Sequence, residues 1–412
     1  RHRTARTNAV RYELRLHAAR STKEYVFHQL LPYLGNKRHL LDLIGRALDG
    51  TGVRPEDATF VDAFAGSGVV SRFAKHLGFA VIANDWEPYA RTVNAAALLH
   101  HAEPAMPKLG GYRQALATLN ALPGVEGWVT RTLCPNDDDN ADPLRERMFY
   151  RRASGQRFDA IRQQISNWVD DRSCSEHDAH CLLAPLLYQA CWLANTSGVF
   201  KGFHAGWGGK NGTALHRILA DLQMLPLQFC SSQREHQVMS LDAFDLRGAI
   251  AERPDVAYLD PPYNQHPYAS NYHVLNSLVQ WDQPDLPPAT QRGFKAAIRP
   301  DWRERRSRFN KRHGAADAMQ QLMASMDARH LLISYSTDGW IPLDRLLRDA
   351  GEHGALTVHC RSYRRYRTSP TRPSPRPRNV EFVLHVNRER AARPNQVQSV
   401  LDDIQEAAPQ TL

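Results

Sequence analysis

Long apolar runs are missing from this chain. No stretch of its 412 residues is long enough to cross a membrane as a helix. The opening segment RHRTARTNAVRYELRLHAAR is basic and has no apolar centre, so it does not read as a secretory signal. Cysteine is scarce: six residues, at 134, 174, 181, 191, 230 and 360, with no CxxC pair. A chain of this size needs no disulfide staples, so a reducing, cytoplasmic setting is the expectation. Internal repeats are absent. So are a GxGxxG fingerprint and a GK[ST] triplet, which removes the usual grips for pyrophosphate and triphosphate.

What remains is an ordinary globular composition, with 42% hydrophobic and 23% charged residues. The length allows one large α/β domain with an insertion, or two domains. A net charge of +9 and a pI near 9.3 favour a polyanionic partner, although an Arg-rich surface reads the same way. One cysteine cluster calls for weighing. CSEHDAHC puts Cys174, His177 and Cys181 on one face if the segment is helical. A structural zinc site wants four ligands, so the segment reads as a helix surface beside buried thiols, and no metal is expected.

Periodicity divides the chain. Residues 1–30 form a basic lead-in. LPYLGNKRHLLDLIGRALDG is a turn followed by an amphipathic helix with Leu40, Leu41, Ile44 and Leu48 on one stripe. ATFVDAFAGSGVVSRFAKHLG reads as strand, glycine turn and helix, and FAVIANDWEPYA as a second buried strand, which together make a βαβ unit. Residues 96–235 are mostly helical patterns with polar connections and are expected to be an insertion. Strands resume at HQVMSLDAFDL, DVAYLDPPYNQ, ARHLLISYSTDGWIP and NVEFVLHVN. RSYRRYRTSPTRPSPRPR is too rich in Pro and Arg for a core element, and the tail 391–412 is expected to fray. The catalytic part would then be 31–95 joined to 236–390, an α/β sheet of Rossmann-like form carrying a helical insertion.

The strongest chemical signal is Asp260-Pro261-Pro262-Tyr263, directly after the apolar run VAYL. A tight turn explains the prolines. It does not explain an acid before them and an aromatic after them at the carboxyl end of a parallel strand, where open α/β sheets place their ligands. Methyl transfer to an exocyclic amine needs such a set. The amine lone pair is delocalised into its ring, and a carboxylate with a backbone carbonyl can accept its two N–H bonds. Pro261 offers a carbonyl and no competing N–H. The ring of Tyr263 can hold a base that has left the stack. The second signal runs from Asp62 through Phe64 to Gly66 and Gly68. Its glycines let a ligand approach the backbone, and Asp85 at the end of the next strand suits ribose hydroxyls. An adenosine ligand without pyrophosphate fits, and S-adenosylmethionine is one.

With these residues in place, the chain resembles the Dam-type, amino-directed DNA adenine methyltransferases in the permutation with DPPY late. YLGNK, with Tyr33, Gly35 and Lys37, is similar to the family's first cofactor motif, FVDAFAGSGVVS to its glycine loop, and NDWEP, with Asp85 and Trp86, to its ribose motif. LDAF, with Asp242 and Phe244, resembles the element beside the cofactor adenine. NYHVLNSL, with Asn271 and Tyr272, resembles the loop that orders over a flipped base. The resemblance implies a Rossmann-like S-adenosylmethionine-dependent fold. It implies methylation of adenine N6 at specific sites in double-stranded DNA, with a restriction-modification or phage-defence role and partner subunits as the setting. The target-recognition region would be the insertion.

Two basic clusters suit phosphate contact. One runs from Arg299 to Arg312, with Arg305, Arg306 and Arg308 around Trp302 and Phe309, and the other contains Arg361, Arg364, Arg365 and Arg367 with Tyr363 and Tyr366. The loop 200–212, with Lys201 and Lys210, is a candidate for base contact or wedge insertion, beside the plainer reading of a packed Gly/Trp loop. No cysteine has a Pro-Cys context, since Cys134 precedes its proline, which argues against a thiolate mechanism at cytosine C5. The alternatives are a cytosine-N4 enzyme, an RNA adenine-N6 enzyme and a catalytically silent DNA-binding subunit.

Overall fold

The computed structural model describes residues 20–408 apart from 264 and 365–377. Its centre is a seven-stranded sheet in the order β3-β2-β1-β4-β5-β7-β6. The strands are β1 (Thr59–Asp62), β2 (Ala80–Asn84), β3 (Gln237–Met239), β4 (Val256–Leu259), β5 (His330–Ser336), β6 (Ala355–Arg364) and β7 (Arg378–Asn387). The first five run parallel, while β7 pairs antiparallel with both β5 and β6.

The central strands are mostly apolar because both faces are covered. Alternate residues go to opposite sides. Phe60, Tyr258 and Leu332 join a core with the helices Leu41–Thr51 and Val69–Leu77. Val61, Ala257, Leu259, Leu331 and Ile333 join a second core with the helices Ala315–Ser325, Leu343–Gly351 and Gln396–Glu406. The expected stripe is this packing: Leu40, Leu41, Ile44 and Leu48 are all buried.

The helical region is less of an appendage than its sequence implies. The helices Tyr112–Ala121, Arg152–Asp170 and Glu176–Trp192 share one core with Tyr89, Val93 and Ala96 of the helix Pro88–Leu98. The same core takes in Tyr272, Val274, Leu275 and Leu278, so it extends well past residue 235.

Two expectations need correction. RSYR, at 361–364, is not outside the sheet: it ends the ten-residue strand β6. An antiparallel edge strand can be largely polar because one side faces solvent. The tail is not frayed over Gln396–Glu406, where Val400 and Ile404 are buried and Gln396 bonds to the backbone at Gly354 and Leu356.

β1 has β2 on one side and β4 on the other. The strand order reverses there, and a crevice opens at the carboxyl ends, where such folds take ligands.

Candidate active site

A cleft of about 1190 Å³, open solvent at its mouth included, fills that crevice. It is built from strand ends. β1 runs into the turn Ala63 to Gly68, which opens the helix Val69–Leu77. Gly66 has φ +49°, and a Cβ there would lie 3.0 Å from the Tyr33 ring. The glycine therefore keeps the wall thin where Tyr33 crosses it. Gly68, at φ +80°, faces Asn94 rather than the cleft, and a Cβ would meet Asn94 Oδ1 at 2.7 Å.

β2 delivers Asp85. Its carboxylate accepts the N–H of Gly66 at 2.9 Å and that of Glu87 at 3.0 Å. Burial pushes the Asp85 carboxyl up to about 6, against those two N–H groups. Beyond β3, Asp242 accepts the N–H of Phe244 at 3.1 Å. The Phe244 ring lies parallel to Phe309 at 6.1 Å and carries the Arg308 guanidinium at 4.2 Å. Trp86 and Phe64 also line the cleft.

β4 delivers Asp260, Pro261, Pro262 and Tyr263 to the same cleft. Lys37 Nζ sits 3.0 Å from Asp260 Oδ1, and the Tyr263 hydroxyl donates to that same oxygen at 2.8 Å. Lys37 also donates to the Tyr263 oxygen at 2.6 Å and to Gly35 O at 3.2 Å. Among the described residues, no hydrogen bond falls on Asp260 Oδ2. Burial pushes the Asp260 carboxyl up, and the Lys37 ammonium and Tyr263 hydroxyl pull it back down. The Tyr263 ring meets Tyr335 edge-on at 5.0 Å.

Three features depart from the sequence reading. Asp62 is not in the cleft wall: it is buried behind the glycine turn and accepts from Ser71 Oγ at 2.7 Å, which braces the following helix. Asn271 and Tyr272 are buried, in the helix Tyr268–Asn271 and its C-cap, and not in an open loop. Tyr272 instead stacks on Tyr33 at 4.9 Å and accepts the Leu34 N–H at 2.7 Å. The Lys37 ammonium lines the cleft but is engaged by Asp260, Tyr263 and the Gly35 carbonyl.

Other residues were missed. Tyr268 also stacks on Tyr33, at 5.0 Å, and lies near-parallel to Tyr272 at 6.1 Å. Arg308 and Phe309, read as part of a phosphate-binding run, line the cleft. Glu381 of β7 lines it too, with its carboxyl pushed up by burial and Oε2 without a hydrogen-bond partner among the described residues. An acid inside the apolar run NVEFVLHVN was the available signal.

The basic segments divide. Arg299 is buried, held by Asp282 at 2.7 Å and Asp301 at 3.2 Å, and Arg305 pairs with Asp301 at 3.6 Å. Arg306 and Lys210 are exposed, and Lys201 is half-buried. In the loop 200–212, Phe200 is buried and Trp207 Nε1 donates to Asp138 O at 2.9 Å, which is the packed Gly/Trp loop and not a wedge. Arg365 and the Arg364 side chain lie outside the described residues. Among the described residues, no helix is long and apolar enough to cross a membrane.

Comparisons with known proteins agree with this geometry. The family described as D12 class N6 adenine-specific DNA methyltransferase matches residues 33–291. The chain is 29% identical over 356 residues to the Type II methyltransferase M.NlaIII of Neisseria lactamica, covering 86% of this chain and 98% of that one. It is 27% identical over 338 residues to the Type II methyltransferase M.CviAII of Paramecium bursaria Chlorella virus 1, covering 81% and 92%. Against the modification methylase LlaI of Lactococcus lactis subsp. lactis it is 27% identical over 348 residues, 82% of this chain but 51% of that protein, so it spans about half of that relative.

Proposed function

The chain belongs to the D12 class of N6 adenine-specific DNA methyltransferases, and on that premise we propose that the cleft at the ends of β1, β2 and β4 holds both the methyl donor and the target adenine. S-adenosylmethionine, when bound, supplies an electrophilic methyl group on a sulfonium. The donor half is the glycine turn, Asp85 and the Phe244–Phe309 pair. The thin wall at Gly66, a carboxylate at the end of β2 and two flat rings are what an adenosine moiety needs.

The base half is Asp260, Pro261 and Tyr263. The observation that carries the reading is that, among the described residues, the Lys37 and Tyr263 contacts of Asp260 both fall on Oδ1. Oδ2 is left to accept one N6–H, with the Pro261 carbonyl for the other. Lys37 favours the ionised form of Asp260 against the effect of burial, and the carboxylate then stabilises the positive charge that builds on N6 as the C–N bond forms. The Tyr263 ring faces the extruded base while its hydroxyl fixes the carboxylate.

The duplex would lie across the cleft mouth on exposed cations such as Arg306 and Lys210. The helical region 96–235 would read its sequence, and a restriction-modification system would be the setting, in line with relatives named as a Type II methyltransferase and a modification methylase. The test is to incubate duplex DNA with the protein and S-adenosylmethionine and analyse the released nucleosides by mass spectrometry. N6-methyladenine at a fixed sequence is expected. N4-methylcytosine, or no methylated nucleoside, would refute the reading.

A further inference from the structure

The segment CSEHDAHC has no part in this chemistry, yet the fold places it against another histidine. Cys174 and Cys181 are buried, and burial pushes both thiols up, Cys174 to about 12, so they behave as apolar side chains. His177 and Asp178 lie in the first turn of the helix Glu176–Trp192. His100 follows the helix Pro88–Leu98, and its ring centroid is 4.3 Å from that of His177.

His100 is 6% exposed, and its Nε2 lies 3.2 Å from the backbone oxygen of His177. A carbonyl only accepts, so Nε2 carries the proton and Nδ1 carries the lone pair. That Nδ1 faces Asp178 Oδ1 at 3.9 Å, beyond hydrogen-bond range. Two lone-pair atoms thus face each other across a gap, one of them on a nearly buried ring. The candidate ligand atoms of His100, His177 and Asp178 all lie within 4.8 Å of one another.

We propose that His100, His177 and Asp178 form a binding site for a divalent transition-metal ion, zinc first among them. Two imidazoles and a carboxylate are a zinc donor set, with water completing the tetrahedron. A ring N–H anchored on a backbone carbonyl is how metal-binding histidines are oriented. The turn that carries His100 is pinned as well: the buried Lys75 donates to the carbonyls of Ala97, Leu98 and His100 at 3.0, 2.9 and 2.9 Å. His177 is exposed, which gives the ion a path from solvent. The ion would clip the helix that follows β2 to the helical region, at a joint outside the catalytic cleft.

The full chain, stripped with chelator and dialysed, is titrated with zinc chloride by calorimetry. One equivalent is expected to bind, with a higher melting temperature, and magnesium is expected to do neither. His177→Ala and Asp178→Asn, which change half-exposed or exposed positions, should each weaken zinc binding by roughly tenfold or more while the zinc-free melting temperature stays put. Cys181→Ser should leave zinc binding intact, and X-ray absorption should show nitrogen and oxygen around the ion. No stoichiometric uptake, uptake that survives both substitutions, or a sulfur shell would each overturn the proposal.

Discussion

Asp260 and Lys37 form a nearly buried pair, and on the proposed reading the pair would set the acid side of the pH profile. Burial raises the Asp260 carboxyl and Lys37 lowers it. Removing the ammonium in Lys37→Met leaves burial unopposed, so the carboxyl moves further up. The ionised form is the one that can accept N6–H, so the acid limb of the kcat–pH profile should shift to higher pH. A limb that stays in place in Lys37→Met would show that the lysine does not govern this carboxylate. Asp260 and the prolines were legible in the sequence because a short contiguous motif carries them. The partner was not: Lys37 is 223 positions away from it, and only the fold brings the two to 3.0 Å. Tyr263 differs in a similar way. Its ring was readable from the motif, whereas the hydroxyl contacts with Asp260 and Lys37 depend on the three-dimensional site.

Among elements, the glycine turn after β1 makes the plainest demand on its sequence. Gly66→Leu would put a side chain at φ +49°, against the Tyr33 ring. Calorimetry should show S-adenosylmethionine binding abolished, and unchanged affinity would move the donor pocket elsewhere. The parallel strands were legible because burial on both faces gives continuous apolar runs. β6 was not, because an edge strand ending in RSYR carries a polar composition. The segment after DPPY was read as a loop over the base. It is two short helices whose Tyr272 and Leu275 enter the helical core, and aromatic residues four apart were the helical signal.

At the scale of the molecule, buried acids tie stability to pH. Asp62 and Glu87 are pushed up by burial, from 3.8 to about 7 and from 4.5 to about 8. Between the ordinary and raised values the folded chain holds protons that the unfolded chain releases. This contribution to stability is therefore full at low pH and is lost as pH rises through about 7 and 8. Glu87→Gln should flatten that fall in a melting-temperature series, and an unchanged slope would remove Glu87 from the account. The division into a sheet part and a helical part was visible in the change of periodicity. Their shared core was not, since it joins residues before 100 to residues after 270 through side chains that merely look apolar in sequence.

On the proposed reading Asp260 acts on the target amine and not on the methyl donor. One measurement separates the two: single-turnover methyl transfer to duplex DNA by Asp260→Ala, with S-adenosylmethionine affinity measured on the same protein. Losing a charge-assisted contact in a buried site costs about 2–4 kcal/mol of transition-state stabilisation, roughly a hundredfold or more in rate. That loss is expected, with donor affinity little changed. Transfer at the wild-type rate, or a loss explained entirely by weakened donor binding, would contradict the reading.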